Sequence, residues 1–385
     1  MATGRLPDPN SAPVTAKGDL YTYSTVPAKL AVGSNGDTLL ADSAATTGLR
    51  WSAQPAASNP VINGGMDIWQ RGTSFSLAAS TTAANGFLAD RWQTATSTNQ
   101  ACTISRQSVG DTTNLPSIQY CLRYQRNSGQ TGTGGLELTN GFETANSIPF
   151  AGKVVTLSFY ARAGANYSPT SSLLAVYLIT GTGTDQSIWG AGYTGTATPI
   201  NSTATLTTTW QRFTFTGTVA TTATQIGVDL RMNPTGTAGA ADYYEVTGVQ
   251  LDVGSVALPF RRSGNTLQGE LAACQRYYWR SDSGVAFANF GMAMCASTTA
   301  AYATIDLPVT MRIAPTTIDV PSTITRLKLT DIGSNNFTIS AIVSEYSTKD
   351  TLSLKVTSTG LTLQNIVVLT DAGGNNSFIG ASAEL

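Results

Sequence analysis

Histidine is absent from the 385 residues of this chain. That absence removes Ser-His-Asp and Cys-His catalysis, histidine-based zinc sites and most metal-dependent hydrolases. Charge is thin as well. Only 12% of residues are charged and the formal net charge is −1, so there is neither a basic footprint for nucleic acid nor a polybasic patch for an anionic membrane. No apolar run is long enough for membrane insertion, and the first residues carry no signal-peptide core. The expectation is a chain made in the cytoplasm. Neither G-x-x-x-x-G-K-[ST] nor G-x-G-x-x-G occurs, which leaves nucleotide binding without support. The four cysteines, Cys102, Cys121, Cys274 and Cys295, show no C-x-x-C spacing. Cys102 and Cys121 fall on neighbouring expected strands and either pair or remain buried thiols, the second being usual in a reducing compartment.

What is present is glycine, threonine, serine and alanine, including 37 glycines. Threonine and the β-branched residues favour strands, and frequent glycine punctuates turns. The fold class expected is all-β. With 41% apolar residues and little charge, such a chain suits an assembly that hides surface. Its length implies two or three domains.

Composition and patterning divide the chain into four parts. Residues 1–58 form an N-terminal attachment and stalk segment. It begins with a proline-rich stretch over 1–16, continues in short β-like pieces cut by turns at Gly33–Asp37 and Ala44–Gly48, and ends in a linker over 52–59. So little chain cannot bury a core alone. Residues 59–262 carry eight or more patterned strands with glycine-rich connections, the mark of a two-sheet jelly roll. A linking helix falls within 263–280. Asn265 is its expected N-cap, with Gln268 three residues on. Leu267, Leu271, Cys274 and Tyr278 make one apolar stripe along it. Either three such helices meet on the axis of a trimer or the stripe docks on its own chain. Residues 281–385 alternate again, as a second, C-terminal β-sandwich.

Several stretches resemble bacteriophage tail-fibre and minor tail proteins. At the junction, Gly248-Val-Gln-Leu-Asp-Val-Gly-Ser-Val-Ala-Leu-Pro-Phe260 is followed by Glu270-Leu-Ala-Ala-Cys-Gln-Arg-Tyr-Tyr278. The opening stretch Asn59–Phe75, Ala89-Asp-Arg-Trp92, Met311-Arg-Ile-Ala-Pro-Thr316 and the final Ala-Ser-Ala-Glu-Leu385 carry the same likeness. Val155–Ala163 and Trp210–Thr216 resemble jelly rolls of carbohydrate-binding modules. Lys17-Gly-Asp-Leu20 and the pieces up to Trp51 resemble intertwined fibre stalks. The resemblance implies a virion tail protein, a homotrimer attached to other tail or baseplate proteins through its N-terminal region, with the jelly roll recognising a host cell-surface glycan. The alternative it leaves is a purely structural tail-tip or head-fibre protein with no ligand. A polysaccharide depolymerase is disfavoured, because no repeat period is visible, and the chain is expected not to be an enzyme.

Sugar binding needs aromatic faces for pyranose rings, with amides and carboxylates reading the hydroxyls. The candidates are Tyr167, Asp185, Gln186, Trp189 and Tyr193, which lie in glycine- and serine-rich loops where binding residues concentrate. The competing reading makes Trp189 a plug at the end of the core. Trp69, Trp92 and Trp210 sit in patterned segments and are expected in the core. Among the acids of the sandwich, Asp67, Asp90, Asp229, Asp242, Glu245 and Asp252 stand out, with solvation or turn-capping as the ordinary role. Asp67 and Asp252 are candidates for a structural calcium of the kind held by such jelly rolls. No other cofactor is expected.

Overall fold

The computed structural model describes residues 14–385 except 25, 34–36, 54–58, 80–83, 97–99, 116, 190–191 and 316. The proline-rich start up to residue 13, the centre of the turn at 33–37, most of the linker at 52–59 and Thr316 lie outside the described residues.

Two hairpins come first. Strand β1 (Leu20–Tyr23) pairs with β2 (Pro27–Leu30), and β3 (Asp37–Ala41) pairs with β4 (Leu49–Ala53). The Trp51 indole N–H donates to the Ala31 carbonyl at 2.7 Å and ties the second hairpin to the first. Among the described side chains of these hairpins only Thr22 is buried, while Tyr21, Tyr23, Val26, Val32 and Leu39 are exposed. Among the described residues each hairpin keeps two open edges, an arrangement that is marginal by itself.

A jelly-roll sandwich follows, built from β5 (Ser74–Leu77), β6 (Ala84–Phe87), β7 (Gln93–Thr96), β8 (Cys102–Ser108), β9 (Tyr120–Arg126), β10 (Leu136–Gly141), the single turn α1 (Thr144–Ser147), β11 (Val154–Ala163), β12 (Leu173–Gly181), β13 (Ala197–Thr205), β14 (Gln211–Thr218), β15 (Gln225–Met232) and β16 (Tyr243–Val253). One antiparallel sheet runs β13-β12-β15-β10-β7-β6 and the other β14-β11-β16-β9-β8-β5. Alternate residues of each strand point inward. Leu136 and Leu138, Leu174, Val176 and Leu178, and Ile226, Val228 and Leu230 from the first sheet meet Leu157, Phe159, Val246 and Leu251 from the second. The alternation of β16 slips by one between Val246 and Val249. Gly248 there sits at φ +60° beside a register shift in β11, a bulge that glycine accommodates without steric cost. Trp69 and Trp92 are buried in this core, and Trp210 in a smaller cluster with Val109 and Leu115, as the patterning implied.

Helix α2 (Leu267–Gln275) is shorter than the apolar spacing suggested, and its cap is Thr266 rather than Asn265. The Thr266 hydroxyl accepts the Gly269 N–H at 3.0 Å, because its extended backbone aims Oγ1 at the first turn, whereas Asn265 is left-handed at φ +60°. The apolar stripe is also corrected. Cys274 and Tyr277 pack on Ile62 and Ile68 of the same chain, with Leu271 against them. Tyr278 has left the helix and begins a strand, buried, its hydroxyl donating to Asp319 at 2.6 Å. Only Leu267, 52% exposed, remains open to a neighbour. Apolar surface within reach on the sandwich takes the stripe before an axis can.

The second β unit comprises β17 (Tyr278–Asp282), β18 (Asn289–Cys295), β19 (Ala300–Asp306), β20 (Thr317–Asp319), β21 (Leu327–Asp331), β22 (Asn336–Ser344), β23 (Thr351–Ser358), β24 (Ile366–Asp371) and β25 (Phe378–Ser382). Its main sheet closes as a six-stranded barrel, β18-β19-β23-β22-β21-β24, because β24 pairs with both β18 and β21. Closure leaves that sheet without an open edge. A small sheet, β17-β25-β20, covers one side.

The two units are joined by buried polar contacts. Arg91 pairs with Glu384, and its guanidinium lies 3.7 Å above the Tyr277 ring. Arg71 stacks at 3.4 Å on Tyr278 and reaches Glu384 at 3.3 Å. Arg276 holds Glu143 at 2.9 Å. The four cysteines are buried free thiols. Cys102 stands opposite Arg126 and Cys121 opposite Gln107, so the register does not bring the two together.

Candidate functional site

The site lies on the face of the first sheet that points away from the core. In β10, β12 and β15 the inward residues are mostly apolar. The intervening ones, Glu137 and Thr139, Tyr177 and Ile179, and Asp229 and Arg231, share the opposite face. The loop after β12 folds over one end of this face. Its approach is close enough to require glycine at position 227, where an added Cβ would lie 2.5 Å from Ile188 and 2.9 Å from the Tyr193 hydroxyl. The loop and strands enclose a cleft of about 430 Å³ lined by Glu137, Thr139, Ile179, Ile188, Trp189, Asp229 and Arg231.

A larger hollow of about 540 Å³ lies on the same sheet face toward Leu173 and Ala175. It is lined by threonines, prolines, Asn233 and small residues, without a charged or aromatic side chain, and offers less to recognise. Leu173 to Ile179 is six residues of strand, roughly 20 Å, so the hollow and the cleft lie apart on one sheet face.

The electrostatics of the cleft centre on Arg231. Its Nη2 lies 2.9 Å from Asp229 and 3.1 Å from Glu137, and its guanidinium stands 5.7 Å from the Tyr177 ring centroid. Two carboxyls thus share one cation. Burial, then the neighbouring Asp229, push the Glu137 carboxyl up to about 7 against the pull of Arg231. Burial also raises Asp229, again against Arg231. Asp229 is 1% exposed and its Oδ1 has no hydrogen-bond partner among the described residues. An unfilled acceptor at the floor of a polar cleft is costly unless something donates to it.

The expected sugar-site residues separate. Trp189 lines the cleft and is half-buried, so it is not a core plug. Tyr193 is buried, its hydroxyl donating to the Ile226 carbonyl at 3.1 Å, and offers no ring face. Gln186 closes the loop through Thr194, accepting from its N–H at 2.8 Å and donating to its hydroxyl at 2.9 Å. Asp185 accepts from the N–H of Thr144 at 2.8 Å, at the start of α1. Tyr167 packs on the core and donates to the Leu173 carbonyl at 3.2 Å, away from the Trp189 cleft. Backbone polar groups in and beside short loops must be satisfied, and four of these side chains are used for that.

Both calcium candidates stand beside arginines. Asp67 is held by Arg262 at 2.7 Å. Asp252 is held by Arg261 at 2.9 Å and also accepts from Gln250 and the Leu258 N–H. Among the described residues no group of three or more acidic, cysteine or histidine side chains could hold a metal ion. Of the remaining acids, Asp242 forms a fully buried pair with Arg126 at 2.7 Å, and Glu245 is held by Arg123 at 2.6 Å. Asp90 is pushed up to about 6 by burial, against Arg71 and Gln70.

No protein-family model matches the sequence, and no curated protein matches it. Among solved structures, one titled for the structure and function of CBM4 is similar over 50% of this chain and 99% of its own, at 16% identity and a TM-score of 0.29. The enzymatically active domain of tailspike protein 4 of bacteriophage CBA120 is similar over 51% of this chain and 21% of its own, at 12% identity and a TM-score of 0.31. A CBM61 module in complex with β-1,4-galactotriose is similar over 51% of this chain and 98% of its own, at 9% identity and a TM-score of 0.28. All three scores are below 0.5, so the all-β jelly-roll assignment stands on the strand order and core described above.

Proposed function

We propose that this chain is a glycan-binding structural protein of a bacteriophage tail, and that the groove beside Trp189 takes a host-surface saccharide without cleaving it. The observation that carries the reading is the juxtaposition of a partly open indole with the unfilled Asp229 acceptor and the Arg231 donors in one cleft. The ring covers a pyranose face, and the charged groups exchange hydrogen bonds with its hydroxyls. Hydrolysis by a carboxyl pair requires the two groups to flank a glycosidic bond. Here Arg231 lies between Glu137 and Asp229, in the space a glycosidic oxygen would need.

The tail assignment is supported by the sequence resemblance at the 248–278 junction. A homotrimer is supported by the N-terminal hairpins, whose exposed tyrosines, valines and open edges are most simply covered by two further copies. In this reading the N-terminal region also attaches to other tail or baseplate proteins. Avidity in a trimer makes weak single sites sufficient. The test is a glycan array probed with the full chain and with Trp189→Ala. Binding that depends on Trp189 supports the proposal; binding unaffected by that change, or none at all, refutes it.

A further inference from the structure

A second site is built on the barrel. Phe287 precedes β18 with its ring 60% exposed and its backbone at φ +60°. A bulky residue seldom occupies the left-handed region, and it persists there only when its surroundings over-determine it. Those surroundings are specific. The Asp371 carboxylate accepts from the Phe287 N–H at 3.3 Å, from the Gly373 N–H at 2.7 Å and from the Asn375 N–H at 3.2 Å, while the Asp371 N–H donates to the Ala288 carbonyl at 2.9 Å. Gly373 is equally required, since a Cβ there would lie 2.8 Å from the Phe287 ring. The strain and the network thus hold an apolar ring out toward solvent, where it adds nothing to the core.

Beside the ring is a cleft of about 340 Å³ whose other lining groups are mostly polar, including Asn289, Lys328, Thr330, Asp331 and Asn336. The Lys328 ammonium lies 4.6 Å from the Phe287 ring centroid, and no carboxylate stands within ion-pair distance of it among the described residues. Asp331 is otherwise engaged, accepting from the N–H and the side-chain amide of Asn335 at 2.8 Å. A rigid open ring, two side-chain amides, a hydroxyl and a cation without a counter-ion together form the chemistry of saccharide recognition.

We propose that this cleft is a second saccharide site, selective for sugars that carry a carboxylate: the sugar ring packs on Phe287, its hydroxyls meet Asn289, Asn336 and Thr330, and its carboxylate meets Lys328. The site is separate from the Trp189 cleft and does not depend on it. Together the two would let one chain grip a surface polymer at two points, which multiplies weak affinities by effective concentration.

The experiment uses the full chain on an array of neutral and carboxylate-bearing oligosaccharides, as wild type, Trp189→Ala, Phe287→Ala, Phe287→Gly and Lys328→Ala. The expected result is that Phe287→Ala and Lys328→Ala each lower signal on carboxylate-bearing sugars at least tenfold and leave the neutral sugars unchanged. Phe287→Gly should lose the same binding while raising Tm, because glycine relieves the left-handed strain. That pairing separates lost recognition from lost folding. Binding of carboxylate-bearing sugars that is insensitive to Phe287 and Lys328 overturns the second site. If Trp189-dependent binding is present and Phe287-dependent binding absent, only the second site falls. If the reverse holds, the reading of the sandwich cleft falls instead. An array on which nothing binds refutes both.

Discussion

Arg91 and Glu384 form an ion pair between residues 293 positions apart, and the guanidinium is simultaneously stacked on Tyr277. Both side chains are almost fully withdrawn from water, at 2% and 7% exposure. The pair is one of several buried polar contacts between the jelly roll and the second β unit. It turns the junction from a tether into a fixed joint. Removing one partner of a buried pair leaves the other charged and unsolvated, at a cost of about 3–5 kcal/mol. Glu384→Ala should therefore lower the stability of the full chain by about that amount, measured by urea denaturation, with Glu384→Gln losing less. An unchanged midpoint would show that the joint is maintained by other contacts.

The acids of the two units predict opposing pH dependences. Glu137, raised to about 7, and Asp90, raised to about 6, favour protonation in the folded state. Their folded forms bind protons more readily than the unfolded chain, so their contributions fall as pH rises from about 4 toward 7. Asp371 behaves the other way. Burial raises it, but the donors from Ser377, Gly373 and Asn375 outweigh that and hold it at about 2. Its contribution is present above its ordinary value of 3.8 and is lost as pH falls toward 2. Denaturation midpoints taken across pH 2–8 should decline at both ends, and Glu137→Gln should flatten the fall between about pH 5 and 7.

Calcium should leave the chain unaffected. Asp67 and Asp252 already have arginine partners, so a cation would have to displace Arg262 or Arg261. A bound ligand at 100 times its Kd stabilises by about 2.7 kcal/mol. Millimolar calcium or an excess of chelator should leave Tm unchanged, and a clear rise with calcium would contradict the ion-pair assignment.

Assembly is read most simply by light scattering. The full chain is expected at about three times its 40.1 kDa mass, and removal of residues 1–53 should shift it toward the monomer. Leu267→Asp tests whether the one open position of the helix stripe takes part. A monomeric full chain would end the trimer reading.

The sequence made some parts of this molecule legible and concealed others for physical reasons. Period-two alternation marked both β units, because burying one face of a strand imposes that pattern directly. The closure of the barrel was not visible, since it depends on β24 pairing with two strands distant in sequence. Trp189 could be found because an aromatic in a glycine-rich loop is unusual. Its neighbours could not, because Glu137 meets Asp229 and Arg231 only through the β10–β15 register. Asp229 stood out as an acid and Arg231 follows it two residues on along the same strand face, but nothing local gave the pair Glu137 as a partner. The helix stripe misled for a related reason. Spacing identifies an apolar face and is silent on what covers it, and Ile62 and Ile68 lie some 200 residues earlier.

The most direct test of the central claim is the change in saccharide affinity on Trp189→Ala, measured by calorimetric titration of the full chain with the strongest neutral ligand found on an array. Stacking on a half-buried indole predicts a loss of at least tenfold, about 1.4 kcal/mol, with Tm unchanged because the ring contributes little to the core. An affinity equal to that of the wild type would contradict the account, and would show that the groove on the first sheet is not where the sugar sits.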